Sequence, residues 1–305
     1  MTSVEKQTPL PGEAGIFRLI SAAILRLFAD EALPLAGNIA YRTLLATFPF
    51  LIFLTTLGGI FGDATLASRT VDFLLSVAPE YIVKPLAREI HDVLSTPQRG
   101  LFTVSFFVTI WSAMGGVDSI RVCLNRAYDI RENRSIVRIF FTSMMFVVLG
   151  ALALLVVAVL LVVGPIALAF VKQTWPESEI ALRQVDNVRY PLAIALLAGL
   201  LTIFHLVLPA GRRHVSEVWP GVIFTLIAWV VMAIVYRYYL IYFPLFTATY
   251  AGLGSIVAAL FFLYLAAIVL IFGGELNRVL MLRREAQVRV PLPAPRRPSG
   301  SAGAR

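Results

Sequence analysis

The sequence predicts an all-α integral membrane protein with six transmembrane helices, amphipathic helices beside them and both termini in the cytoplasm. Three observations point there. Of 305 residues, 59% are hydrophobic and only 14% charged, with a mean hydropathy of +0.83; a soluble domain carries about a quarter charged residues. The apolar residues gather in long runs, clearest from Ser255 to Gly273, which holds no charge and is long enough to cross a bilayer core as a helix. The basic residues, 23 Arg against 3 Lys, flank these runs as orientation signals do.

Residues 1–13 read as a mobile polar tail; Pro9 and Pro11 interrupt it, and no cleavable signal peptide is expected. Residues 14–285 read as the six-span membrane domain and residues 286–305 as a basic, disordered tail. From Ala14 to Ala32 the apolar residues Ile16, Leu19, Ile20, Ala23, Ile24, Leu27 and Phe28 share a helical face, with Arg18, Arg26 and Asp30 off it. This is an amphipathic helix, lying on the membrane surface or packed on the cytoplasmic ends of the spans.

The first span is expected over about 38–61. Asn38 and Arg42 share a face at its entry, Pro49 should kink it, and Gly58 and Gly62 permit close helix contact near its exit. Residues 63–100 form a long loop with helical content, in which Glu80, Lys84 and Arg88 follow at i+4. Its net charge of −1 suits the outer side. The second span covers about 101–116, and Asp118 is placed to cap a separate helix starting at Ser119. The segment from Asp118 through Arg138 carries five arginines and three acids, which suits the cytoplasm.

The third span is expected over 136–163, ending at Gly164-Pro165, and residues 172–189 form a balanced polar loop. The fourth covers about 190–209, followed by the basic loop Arg212, Arg213, His214. The fifth covers about 219–243 and ends in an aromatic cluster from Tyr236 to Pro244, in which Arg237 can snorkel outward. The sixth covers about 252–282. From Leu276 onward seven arginines face one glutamate. With both termini inside, every loop of clear charge sign obeys the positive-inside rule; the opposite orientation violates it.

Several stretches resemble the YihY/BrkB family (UPF0761) of bacterial inner-membrane proteins, once labelled ribonuclease BN. They are AGNIAYRTLLATFPFLIFLTTLGGIFG at 36–62, LNRAYDIRENR at 124–134, WPG at 219–221 and YAGLGSIVAALFFLYLAAIVLIFGGELN at 250–277. Two positions depart from the pattern: Arg42 stands where an aromatic or small residue is expected, and Ala251 separates Tyr250 from Gly252. The resemblance implies six spans in the bacterial inner membrane and supplies no mechanism, because the family has no settled biochemical function.

Three function classes follow. Transport or binding of a lipid-like or amphiphilic substrate rests on six polar residues at one depth: Asn38, Arg42, Asp118, Arg121, Asn125 and Glu275. If they converge on a cavity open to the cytoplasm, they bind a charged headgroup or ion, with Glu275 paired to Arg42 or Arg121. The competing reading leaves each as an interfacial residue, with Glu275 paired to Arg278 at i+3. A structural or partner-binding envelope protein is the second class. Ribonuclease activity is the third and least favoured: no metal-ligand spacing appears, and His214 in a basic loop is explained by topology. There is one cysteine, Cys123, so no intrachain disulfide is expected. No cofactor is expected, and no GxxxxGK[ST] loop is present. The expected partner is the lipid bilayer, with anionic lipid at the basic tail; a homo-oligomer or an envelope partner stays open, and nucleic acid is not expected.

Overall fold

The computed structural model describes residues 15–61, 99–163, 179–242 and 253–288. These residues form seven helices and no strand. They are α1 (Ile16–Ala29), α2 (Ala32–Phe61), α3 (Arg99–Ala127), α4 (Ile136–Ala158, extended by a π turn over Val159–Val163), α5 (Glu179–Val207), α6 (Val215–Tyr242) and α7 (Leu253–Val288). Helices α2 to α7 each contain a stretch long and apolar enough to cross a membrane. The expectations for Gly62, for the loop at 63–98 with its Glu80–Lys84–Arg88 ladder, and for both tails lie outside the described residues.

The outward faces of the spans are apolar. Trp111, Phe107, Phe141, Leu154, Ile227, Val230 and Val235 are all exposed, as lipid-facing side chains must be in a bundle whose surrounding solvent is hydrocarbon. Several hydroxyls within the spans return to their own backbone: Thr43 donates to the Ile39 carbonyl (2.8 Å), Thr109 to Ser105 (2.6 Å) and Thr202 to Ala198 (2.7 Å). This satisfies each hydroxyl without a second helix.

Three boundaries differ from the sequence reading. Helix α3 runs unbroken from Arg99 to Ala127, so Asp118 lies mid-helix, bonded to Arg121, and caps nothing. The segment expected to be a separate helix after 116 is the polar end of the span itself. Helix α5 begins at Glu179, inside the stretch read as a polar loop. Helix α2 begins at Ala32 and is assigned as one helix through Pro49.

Helix α1 packs on the ends of the spans, the second of its two expected placements, but its buried face is not the one expected. Leu19, Ala23 and Leu27 pack inward, Leu19 and Ala23 against Val279 of α7, while Ile16, Ile20, Ile24 and Phe28 are exposed beside Phe17 and Leu25. The apolar arc is wide enough for the bundle to take one edge and leave the other facing out. Arg26, read as off the apolar face, is buried with the inward set.

Helices α6 and α7 cross at backbone contact. A Cβ on Gly221 would run into the Gly273 carbonyl and the Asn277 side chain, and one on Gly273 would meet Thr225 and Gly221. Asn277, fully buried, ties the crossing: its Oδ1 accepts from the Gly221 N–H (2.7 Å) and its Nδ2 donates to the Val218 carbonyl (3.0 Å). Further along the same pair, Trp229 donates to the Ala266 carbonyl (3.0 Å) and Tyr236 to that of Ala258.

Candidate functional site

Polar side chains concentrate at one end of the bundle, where α1, the end of α3, the α5–α6 connection and the last third of α7 meet. Helix α3 ends in a Schellman motif: the Ile130 N–H bonds the Asn125 carbonyl (2.8 Å) and the Asp129 N–H that of Arg126 (3.1 Å). Asp129 takes the left-handed position (φ 56°) that glycine usually fills; aspartate tolerates it better than most residues. The motif turns the Asp129 carboxylate toward α1 and α7.

Arg26 of α1 is the centre of the first cluster. Its Nε donates to Glu275 Oε2 (3.0 Å), and its Nη2 to Asp129 Oδ2 (2.8 Å) and the Ala127 carbonyl (3.3 Å). Asp30, which caps the C-terminus of α1, lies 3.9 Å away, and Arg278 reaches Asp129 at 3.3 Å. Glu275 is 0% exposed; its Oε1 and the Nη1 of Arg26 are enclosed without a hydrogen-bond partner. Burial alone would lower the Arg26 pKa; the ion pairs with Glu275 and Asp129 override it, and the net direction is up.

Beside it lies a neutral network. His205, fully buried, meets the Tyr128 hydroxyl through Nδ1 (2.8 Å), and Asn277 Nδ2 donates to that hydroxyl (3.1 Å). Burial pushes the Tyr128 pKa up. The Arg213 guanidinium stacks over the Tyr128 ring, 4.3 Å from its centroid.

The third cluster joins α3 to the following turn. Glu132 accepts from Arg121, Asn125 (3.0 Å) and Arg134 (2.8 Å), and Arg121 also pairs with Asp118 (2.7 Å). Asn125 Oδ1 receives the Ala210 N–H (2.7 Å), and Arg134 Nη2 donates to the Leu208 carbonyl (2.7 Å). Glu132 thus pins the α3–α4 turn to the end of α5. The Arg134 side-chain bond, aided by Arg121 and Asn125, holds its carboxyl far below the usual glutamate range.

The six residues singled out in the sequence therefore divide. Asp118, Arg121 and Asn125 share the Glu132 cluster. Asn38 and Arg42 bond each other (3.2 Å), and they reach α3 through Ser119 (3.4 Å) and the Gly115 carbonyl (3.3 Å). Glu275 pairs with neither Arg42 nor Arg121, nor with Arg278; its partner is Arg26, because α1 folds back on α7 and delivers a guanidinium from 249 residues away. Arg26, Asp129, Tyr128, His205, Arg213 and Asn277 were not among the candidates. For Tyr128, Asp129 and Asn277 a signal existed, since they lie in the family-like stretches at 124–134 and 250–277.

A cavity of about 370 Å³ opens at this end. Its walls are Tyr128, Asp129 and Ile130 after α3, Arg212 and Arg213 before α6, Glu217 in the first turn of α6, and Arg278, Met281, Arg284 and Glu285 of α7. None of the six sequence candidates lines it. Among the described residues no group of three His, Cys, Asp or Glu side chains is arranged to hold a metal.

Comparison with known proteins agrees with this architecture. The chain is 29% identical to the ribonuclease-like protein YfkH of Bacillus subtilis (strain 168) over 257 residues, which cover 82% of this chain and 90% of that one. It is 25% identical to a UPF0761 membrane protein of Alteromonas mediterranea over 264 residues, covering 84% of this chain and 85% of the relative. No solved structure matches. The profile of the family described as Virulence factor BrkB matches residues 23–297, which takes in every helix from α2 to α7 and the Arg26–Glu275 pair, and the chain belongs to that family.

Proposed function

We propose that this protein binds and moves a lipid-like or amphiphilic substrate in the bacterial inner membrane, with both termini in the cytoplasm and the polar end of the bundle on the cytoplasmic side. The observation that carries this reading is Glu275: a carboxylate 0% exposed on an apolar span, held by an arginine from a helix outside the six spans. An ionisable group in such a place is costly and belongs by default to function. The pair joins α1 to α7, so a rearrangement of either helix must break or remake it. The orientation rests on the excess of arginine in the loops at this end.

The test is lipid movement between leaflets in proteoliposomes, wild type against Glu275→Gln. Transfer above empty vesicles that falls in the variant supports the reading and the role of Glu275. Transfer unchanged in the variant keeps the activity and removes Glu275 from its path. No transfer from folded protein rejects unassisted lipid movement and favours a structural or partner-binding role in the envelope. The name of YfkH raises ribonuclease activity as a second reading. RNA cleavage by purified protein with divalent metal, lost in His214→Ala, would establish it.

A further inference from the structure

We propose that the cavity between the end of α3, the α5–α6 connection and α7 is a phosphate-recognising site. Its walls carry four arginines and three acids, and the acids are already engaged. Asp129 is held by Arg26 (2.8 Å) and Arg278 (3.3 Å), Glu285 by Arg278 (3.2 Å), and Glu217 Oε2 accepts the His214 N–H (2.8 Å). Each acid thus already holds at least one N–H partner, and the arginines outnumber the acids. Arg212 and Arg284 have no hydrogen bond or ion pair among the described residues.

Arg213 adds a second, independent demand for an anion. Its Nη2 donates to the Pro209 (3.2 Å) and Ala210 (2.9 Å) carbonyls, while Nε and Nη1 are enclosed without an acceptor. No carboxylate among the described residues lies within ion-pair distance of it, and burial pushes its pKa down. An anion in the cavity that Arg213 lines would offset its charge through space. The guanidinium groups of Arg212 and Arg284, with Arg213 lining the same concavity, suit the tetrahedral, multiply accepting phosphate, which arginine binds through paired N–H groups. The volume lies within the range of small-ligand sites and leaves room for a head larger than the phosphate itself.

The phosphate could belong to a lipid headgroup or to a soluble phosphorylated compound. That it seats the head of a transported amphiphile rests on the proposed function; binding itself does not. The experiment measures binding to the full-length protein in uncharged detergent by isothermal titration. The probes are glycerol 3-phosphate, dihexanoyl phosphatidic acid and, as a control without net charge, dihexanoyl phosphatidylcholine. The test variant is Arg212→Gln/Arg284→Gln, whose side chains are exposed and make no contact the fold needs; the control is Arg138→Gln, exposed and outside the cavity.

The expected result is saturable binding of one or both phosphate monoesters, at least about tenfold weaker in the double variant and unchanged in the control. Equal affinity for both monoesters assigns the site to a soluble phosphate; binding of the acylated probe alone assigns it to lipid. No saturable binding, or affinity equal in all three proteins, overturns the proposal. Binding that obeys this pattern in a protein that moves no lipid leaves the site standing and removes the transport reading. Lipid movement without arginine-dependent binding does the reverse.

Discussion

Replacing Arg26 by methionine keeps most of the side chain's apolar length and removes its charge. Two bonds to carboxylates vanish, at 3.0 Å to Glu275 and 2.8 Å to Asp129. The consequences differ. The Asp129 side chain is 32% exposed and keeps Arg278 at 3.3 Å, so its loss is on the scale of a surface pair, about 0–1 kcal/mol. Glu275 is 0% exposed, and Arg26 is the cation that its Oε2 meets, at 3.0 Å. Stranding a buried charge in this way costs about 3–5 kcal/mol. Arg26→Met should therefore destabilise the protein by about 3–5 kcal/mol, most of it through the two buried carboxylates, Glu275 and Asp30. Adding Glu275→Gln removes the stranded charge and should restore about 2–3 kcal/mol as coupling between the two sites. The assay is unfolding by increasing SDS fraction in mixed micelles, followed by tryptophan fluorescence, on wild type, both single variants and the double variant. A loss under about 1 kcal/mol for Arg26→Met, or effects of the two variants that simply add, would refute the argument that this pair is a closed, desolvated unit.

Three further outcomes are expected. Glu132 has its folded pKa below the ordinary glutamate value, so its contribution to stability is complete above the unfolded pKa and is lost as pH falls below about 4.5 toward the folded value. The stability gap between wild type and Glu132→Gln should be widest above about pH 5 and close in acid; a gap independent of pH contradicts the assignment. Gly221→Val forces a side chain into the Gly273 carbonyl and should cost at least about 2 kcal/mol, whereas Gly199→Ala, with nothing within 4 Å, should be neutral or stabilising by up to about 1 kcal/mol; the same unfolding assay compares them. Tyr128→Phe keeps the ring under Arg213 but leaves His205 Nδ1 and one Asn277 N–H without their partner, for a loss of about 1–3 kcal/mol in that assay.

The spans were legible because their signal is local. A run such as Ser255–Gly273 needs no knowledge of its neighbours to be apolar, and length against bilayer thickness does the rest. Boundaries were less legible where a span continues as a polar helix. Asp118 to Ala127 reads as a new segment because its charges end the apolar run, yet nothing there breaks the backbone ladder, and α3 simply carries on. Helix α1 was recognised as amphipathic, but Arg26 was placed off its buried face, since the apolar arc is wide and only one edge of it packs inward. The edge that faces inward carries Arg26 to Glu275, a residue no local pattern connects to it.

The candidate polar residues were chosen by type and depth, and the partner expected for Glu275 was the wrong one. Glu275 stood out because a carboxylate in an apolar helix is rare; its partner did not, because Arg26 lies on a short surface helix whose arginines all look topogenic. The GGELN segment at 273–277 shows the same division. Its glycines suggested a close approach, but Gly221 as the group pressed against Gly273, and Asn277 as the clamp across the crossing, follow only from two helices docked in register. By itself, then, the sequence determined the membrane class, the six apolar spans and the family, all of which depend on hydropathy, charge sign and short motifs read along one strand of chain. Only the tertiary structure decided which charges neutralise one another, which arginines are left with donors to spare and where the cavity opens. Those are properties of groups held within about 3 Å across helices far apart in sequence, and no pattern confined to one helix encodes them.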